Sequence, residues 1–158
     1  DKGELYDMTS ADYPDAIDHQ DKIDAVYLTP GVGITNRRIL TCPKDLCGFA
    51  TGSAANLCSN SIGIMNWSIK NTTQFSLTNI TYNQLLQIKY NFQLDSAYNK
   101  AIQEIPNTLY TSVSGFNSGD VYLFKTNLGK GLFVVSSATG EESTLGELII
   151  SILYLKDK

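Results

Sequence analysis

The stretch Val121-Tyr-Leu-Phe-Lys-Thr-Asn-Leu-Gly-Lys-Gly-Leu-Phe-Val-Val135 decides the fold, because it places two β-rich runs on either side of a short turn. Aromatic and β-branched residues, which favour strands, dominate both runs, 121–126 and 131–135. The intervening Asn127-Leu-Gly-Lys130 suits a tight turn, in which Gly129 is predicted to supply a positive φ. The last third of the chain therefore predicts an antiparallel hairpin.

A final strand is predicted over residues 147–155, where apolar side chains alternate onto both faces of an extended chain. One face would carry Leu148, Ile150, Ile152 and Tyr154, and the other would carry Ile149, Leu153 and Leu155. A strand that is apolar on both faces is usually covered on both, as happens between a partner sheet and helices. If this strand lies at an edge instead, pairing with a strand of a neighbour becomes natural.

Two short helices are predicted upstream of the hairpin. Thr81-Tyr-Asn-Gln84 fits the T-x-x-Q capping box, in which the Thr hydroxyl and the Gln side chain satisfy free N–H groups. A second helix is predicted to start at Asp95 or Ser96 and to end before Pro106. Earlier short strands are predicted in 3–9, 23–29 and 36–42, with a long loop over 43–63. The predicted class is mostly β (α+β): an antiparallel sheet or sandwich with two short helices inserted before the hairpin and final strand.

Length and composition indicate one domain, since 158 residues suffice to bury a sizeable core. We expect an acidic N-terminal segment with a short strand over residues 1–22, followed by a single β-rich domain over 23–158. Charged residues make up only 18% of the chain, and uncharged polar residues replace them, which is common in exported β proteins. No apolar run approaches the ~20 residues of a membrane span, and we expect that an export signal has been removed.

The net charge of −4 argues against nucleic acid as a partner, because phosphate binding needs clustered Lys and Arg. Residues 1–24 hold eight acidic residues against two lysines, with Asp at every third position from 12 to 24. A calcium loop places its ligands at alternate positions around a glycine, so this run predicts a solvated acidic connection and no assigned metal ligands, with a weak divalent-cation site as the alternative. His19, the sole histidine, has no nucleophile motif near it. The chain is therefore expected to be non-enzymatic and to carry no cofactor.

Three cysteines, Cys42, Cys47 and Cys58, are too few for a closed four-ligand zinc site. In an oxidising compartment, two of them would form a local disulfide that cross-links a Gly- and Ser-rich loop. The pairs Cys47–Cys58 and Cys42–Cys58 are both plausible from the spacing, and either pair leaves one thiol over.

Aromatic residues supply the candidate ligand-binding positions, Trp67 and Tyr82, because an exported domain can stack sugars on exposed rings. Aromatic side chains at strand spacing are more often part of the core. N-x-S/T sequons at Asn66, Asn71 and Asn79 are no more frequent than this composition gives by chance.

Several segments together resemble small exported domains of Bacteroidota, many of them lipoproteins or modules of surface proteins. The matching segments are N-W-S-I-K-N-T-T-Q-F (66–75), S-G-D-V-Y-L-F-K-T-N-L-G-K-G-L-F-V-V (118–135) and G-E-L-I-I-S-I (146–152), with I-D-A-V-Y (23–27) and L-T-C-P-K-D (40–45) upstream. The resemblance implies a β domain at the cell surface, in the periplasm or outside the cell. It also makes Ser96, in Asp95-Ser96-Ala97, a candidate for the O-glycosylation found in that phylum. The cysteine cluster departs from the pattern.

The sequence as a whole predicts an exported, non-catalytic binding or assembly module of the cell envelope or surface. Its expected partner is another protein or a second copy, met at a strand edge, with a glycan as a further possibility. The alternative is a protein that binds a soluble glycan or small molecule, or a hydrolase without a recognisable motif.

Overall fold

A computed structural model describes residues 18–28, 38–49, 56–59, 63–105, 108–139 and 146–156. The described strands form two antiparallel sheets, which confirms the predicted mostly-β, α+β class. The strand predicted over 3–9 and most of the acidic N-terminal segment lie outside the described residues.

The smaller sheet has three strands in the order β1-β2-β4, and we call it the small sheet. It comprises β1 (Val26–Leu28), β2 (Ile39–Thr41) and β4 (Ser112–Ser114). The large sheet has four strands in the order β3-β5-β6-β7. It comprises β3 (Gln74–Leu77), β5 (Val121–Lys125), β6 (Gly129–Ala138) and β7 (Leu148–Lys156). The predicted hairpin is therefore present as β5–β6, and the predicted final strand is present as β7.

Among the described residues, the α-helical segments that accompany the sheets are α1 (Leu46–Phe49), α2 (Asn56–Ser59), α3 (Tyr82–Leu86) and α4 (Asn91–Glu104), with a 3₁₀ turn over Ile64–Asn66. The capping box predicted for α3 is present. The Gln84 N–H donates to the Thr81 hydroxyl at 3.3 Å, and the Thr81 N–H donates to the Gln84 side chain at 2.8 Å. These bonds give acceptors to two backbone N–H groups that have no partner within the helix.

Helix α4 begins earlier than predicted, because Gln93 and not Asp95 organises its first turn. The Gln93 side-chain oxygen accepts hydrogen bonds from the N–H groups of Lys89 at 2.7 Å and Tyr90 at 3.1 Å. Asp95 instead lies one turn inside the helix and forms an ion pair of 2.6 Å with the Lys130 ammonium group. The pair links α4 to β6, so the acidic residue serves tertiary packing.

One face of the large sheet, the helix face, packs against α3 and α4. Leu94, Tyr98 and Ala101 of α4 are buried there against apolar side chains of the central strands. Those partners are Val121, Leu123, Leu132 and Val134. Burial of this apolar area is the main driving force that holds the helix on the sheet.

The opposite face of the large sheet, the aromatic face, packs against the small sheet. Tyr122 stacks on Phe133 with ring centroids 5.1 Å apart, and Phe75 meets the same Phe133 ring edge-on. Leu40 of the small sheet is buried in this cluster. The outer face of the small sheet is covered in turn by a second cluster that contains Leu46 and Trp67. The described part is thus a layered structure of helices, large sheet, small sheet and short helices.

The hairpin turn forms without the positive φ predicted for Gly129. Among the described glycines, positive φ occurs at Gly115 and Gly119, and Gly129 is the first residue of β6. A Cβ at Gly129 would lie 2.7 Å from the Tyr154 hydroxyl and would also meet the Leu155 carbonyl. Glycine is required there for close approach of β7, so the physical reason given by the turn prediction was wrong.

Gly119 and Asp120 form a turn that precedes β5. Gly119 has φ +92°, and the Asp120 carboxylate accepts a hydrogen bond of 2.8 Å from the Asn117 N–H. Local capping of this kind is the usual role of Asp in a turn.

Candidate functional site: the free edge of β7

Strand β7 is the last strand of the large sheet. Among the described strands, it pairs with β6 alone, from Leu148 opposite Ala138 to Lys156 opposite Gly129, with a bulge on β6 between Val135 and Ser137. In the described part of the chain, nothing pairs with its other edge. This edge is nine residues long, which is more than the five to six of a typical strand.

The hydrogen-bond pattern shows which backbone groups face outward along this edge. Val135 donates to the Asp120 carbonyl at 2.9 Å, and Thr126 donates to the Gly129 carbonyl at 2.8 Å. Odd-numbered residues of β6 from 129 to 135 therefore bond β5, and the even-numbered residues between them bond Ser151, Leu153 and Leu155 of β7. The N–H and C=O groups of the even-numbered β7 residues, which include Ile150, Ile152 and Tyr154, point away from the sheet. They form a template for one more strand.

Apolar side chains are exposed beside this row of backbone groups. Ile152 is 52% exposed and Tyr154 is 43% exposed on the aromatic face, while Ile149 is 46% exposed on the helix face. The prediction that β7 is covered on both faces is therefore only partly right. The small-sheet cluster reaches Leu148 and Ile150, the helix-face cluster reaches Leu153 and Leu155, and the positions between them stay open.

Within the residues that the structure describes, the edge lacks the usual features that prevent association. Proteins protect sheet edges with Pro, with inward-pointing or central charges, with bulges on the edge strand or with very short edge strands. In β7, Leu-Ile-Ile-Ser-Ile-Leu-Tyr-Leu-Lys, the only charge is Lys156 at the end, and no proline interrupts the run. A long, apolar and unprotected edge is a site for strand addition.

A groove of about 390 Å³ lies between β3 and β4, near the edge of the large sheet that is opposite to β7. Its polar lining includes Tyr110, Ser112, Ser114, Asn117, Asp120 and Tyr122. Tyr110 is 53% exposed, whereas Tyr122 is 3% exposed. The groove offers hydroxyl and amide groups to a polar ligand.

Electrostatics keep the Tyr122 phenol neutral. Burial, followed by the nearby Asp120 carboxylate, raises the pKa of Tyr122 to about 12. A phenol that stays protonated is a hydrogen-bond donor and a poor nucleophile. The groove lining, as the described residues form it, contains neither His nor Cys.

The two ligand-binding positions proposed from the sequence do not come together. Trp67 is 3% exposed and packs in the cluster outside the small sheet, so its ring presents no face for stacking. Tyr82 is 49% exposed on α3, which belongs to the helix side. Ser96, the glycosylation candidate, is an exposed residue in the second turn of α4.

Cys47 and Cys58 form a disulfide with Cα atoms 5.7 Å apart, which is one of the two pairs left open by the spacing. Cys42 is the remaining thiol and is fully buried. Among the sequons, Asn71 is 8% exposed and its amide donates to the carbonyls of Asp21 and Ile23. That amide is occupied by structural bonds.

Metal ligands do not converge within the described ranges, where no three His, Cys, Asp or Glu side chains lie together. Within the same ranges, every helix falls short of the length and apolarity needed to cross a bilayer.

Sequence reasoning missed the groove because three separate segments assemble it, around 76–77, 110–117 and 120–122. No motif spans such segments. The available signal was local: Asp120 and Tyr122 are two residues apart, so in a strand they share one face.

Comparison of the chain with protein-family models, with curated protein sequences and with solved structures finds no match. The resemblance to exported domains of Bacteroidota therefore stays a hypothesis.

Proposed function

We propose that this chain is an exported, non-catalytic binding or assembly module of the cell envelope or surface, which docks by accepting a neighbour's strand on β7. The observation that carries the proposal is the outward row of backbone groups at Ile150, Ile152 and Tyr154, flanked by exposed apolar side chains. An added strand satisfies those groups and buries Ile152 and Tyr154 in one step.

The Cys47–Cys58 disulfide supports the exported location, because such bonds persist mainly in oxidising compartments. The chemistry of the groove supports the non-catalytic part, since its lining holds hydroxyl and amide groups and a single carboxylate. Strand addition needs no catalytic residues, because backbone hydrogen bonds give affinity and side-chain pockets give specificity.

The test compares two charged substitutions in cross-linking and pull-down from the native cell envelope. Ile152→Lys places an ammonium group in the middle of the proposed interface, whereas Phe92→Lys places one at the 71%-exposed Phe92 on α4. We expect wild type and F92K to capture the same dominant species and I152K to lose it. Equal capture by all three proteins would refute docking at β7.

A second candidate function rests on the groove. The exposed Tyr110 ring and the hydroxyl and amide groups around Asp120 resemble the mixture of stacking and hydrogen bonding that suits a neutral, polyhydroxylated ligand such as a sugar. NMR titration with a panel of neutral oligosaccharides tests this candidate. Tyr110→Ala should weaken binding, while Tyr90→Ala at the 65%-exposed Tyr90 on another surface should not. If no sugar shifts resonances of the groove, this second candidate is excluded for that panel.

A further inference from the structure

We infer that the strand received by β7 is β7 of a second copy, paired antiparallel about a twofold axis at Ile152. This inference rests on the proposed function, and it specifies the occupant and the register of that same edge. The result would be one continuous eight-stranded sheet made of two large sheets.

The alternation of the backbone groups restricts the register. In an antiparallel ladder, two residues exchange hydrogen bonds only if both face the partner strand, so even-numbered residues of β7 must pair with even-numbered residues of the second copy. A twofold axis centred on Ile152 meets this condition, because it pairs Ile150 with Tyr154 of the second copy. It also keeps all nine residues of β7 in the ladder, whereas a shift of the axis by one residue removes two of them.

The side chains are self-complementary in this register. Ile152 would lie opposite Ile152 of the second copy, and Ile150 would lie opposite Tyr154, which is a favourable β-branched–aromatic pair. On the helix face, the exposed Ile149 would lie opposite Leu155 of the second copy. Each strand thus covers the apolar positions that the two sheets of one copy leave open.

The charges at the strand ends also favour an antiparallel second copy. Glu147 precedes β7 and Lys156 ends it, with no charge between them. Antiparallel pairing brings Lys156 of each copy beside Leu148 and Glu147 of the other. Parallel pairing would place Lys156 beside Lys156 and Glu147 beside Glu147, which is destabilising at both ends.

The experiment combines sedimentation with disulfide trapping in the full chain. In the proposed register, the Cα atoms of the two Ile152 residues are ~5.5 Å apart, which is within disulfide range. The control is Leu77→Cys, because Leu77 is 51% exposed on the aromatic face of β3 at the opposite edge of the large sheet.

We expect wild type to sediment as a dimer, I152C to cross-link under mild oxidation and L77C to stay uncross-linked. I152K should raise the dimer dissociation constant by about a hundredfold or more, because it buries two like charges opposite each other. A dimer that persists in I152K, or a dimer in which L77C cross-links and I152C does not, overturns the inference.

A monomeric wild type also overturns self-pairing, and hydrogen exchange then separates the two proposals. If the Ile152 and Tyr154 amides exchange fast in the free monomer and become protected with an envelope partner that I152K abolishes, strand addition stands and only the second copy is wrong. If those amides are already protected in the monomer, another segment of the chain covers the edge, and both proposals fail.

Discussion

The ring of Phe124 covers Gly131 on the neighbouring strand, so that a Cβ at Gly131 would lie 2.8 Å from two ring carbons. The same Cβ would meet the Leu153 carbonyl of β7. Tyr154 covers Gly129 in the same way and stacks on Phe124 with ring centroids 6.0 Å apart. The two glycines of Gly-Lys-Gly thus admit a pair of stacked aromatic rings, an arrangement that supports sheets at such positions.

Gly131→Ala should destabilise the protein by about 1–3 kcal/mol, because the added methyl group forces the Phe124 ring and the β7 backbone to shift. Gly48→Ala is the matched control, since a Cβ at Gly48 meets nothing within 4 Å and Gly48 lies in α1. Chemical denaturation of both variants checks the difference. A loss of stability at Gly48 equal to that at Gly131 would contradict this account.

Breaking the Cys47–Cys58 disulfide should lower the free energy of unfolding by about 2–3 kcal/mol. The bond closes a short loop across 11 positions of sequence between α1 and α2, and it restricts the unfolded chain mainly through loop entropy. A reducing agent should therefore lower the midpoint of thermal unfolding by several degrees.

Two variants separate this effect from unrelated thiol chemistry. Cys42→Ala removes only the free buried thiol, so the response to reducing agent should remain. Cys58→Ala removes the disulfide, so the variant should no longer respond. If sensitivity to reducing agent disappears in C42A and survives in C58A, the disulfide does not join Cys47 to Cys58.

Local patterns predicted the elements whose cause is local. The capping box at Thr81–Gln84 and the β5–β6 hairpin follow from chemistry within four residues or from strand propensity. The start of α4 was misplaced because the Gln93 side chain, three residues into the helix, accepts hydrogen bonds from the N–H groups of Lys89 and Tyr90. Asp95 is instead engaged by Lys130 from β6. Nothing near Asp95 in the sequence shows that ion pair.

Long-range placement could not be predicted in the same way. The alternation in 147–155 showed that β7 is apolar on both faces, but the exposure of Ile152 depends on how far the small sheet extends over the aromatic face. The burial of Trp67 likewise depends on its contact with a cluster that includes Leu46 and Val26. Such contacts join segments more than twenty residues apart, so no window of sequence contains them.

Thr73→Val should leave stability unchanged or raise it by up to about 1 kcal/mol. Thr73 is 1% exposed, and its hydroxyl has no hydrogen-bond partner in the described part of the chain. Valine has the same shape and removes a buried polar group that gains nothing from folding.

Thr41→Val provides the contrasting substitution. Thr41 is also fully buried, but its hydroxyl donates to the Thr111 carbonyl at 3.3 Å. Loss of this bond should cost about 1 kcal/mol and leave a carbonyl with fewer partners. Denaturant midpoints that fall equally in both variants would show that the two hydroxyl environments are equivalent, contrary to the structure.

The raised pKa of Tyr122 predicts a loss of stability in alkali that a single substitution should reduce. In the unfolded chain the phenol ionises near its usual pKa of about 10, while burial and then Asp120 raise the folded-state pKa to about 12. Between these values the folded chain keeps a proton that the unfolded chain loses, so the contribution to stability is complete below pH ~10 and is lost as the pH rises toward ~12. Tyr122→Phe should therefore show a shallower fall in unfolding free energy across this interval, measured by denaturation at each pH.

Asp120→Asn distinguishes the two causes of the raised pKa. Removal of the carboxylate should lower the Tyr122 pKa without returning it to its usual value, because burial is the larger cause. The fall in stability should then end at a lower pH than in wild type, and the phenolate absorbance of the folded protein should rise at that same lower pH. If the unfolding free energies of wild type and Y122F vary identically with pH, the Tyr122 hydroxyl is as well solvated in the folded chain as in the unfolded one.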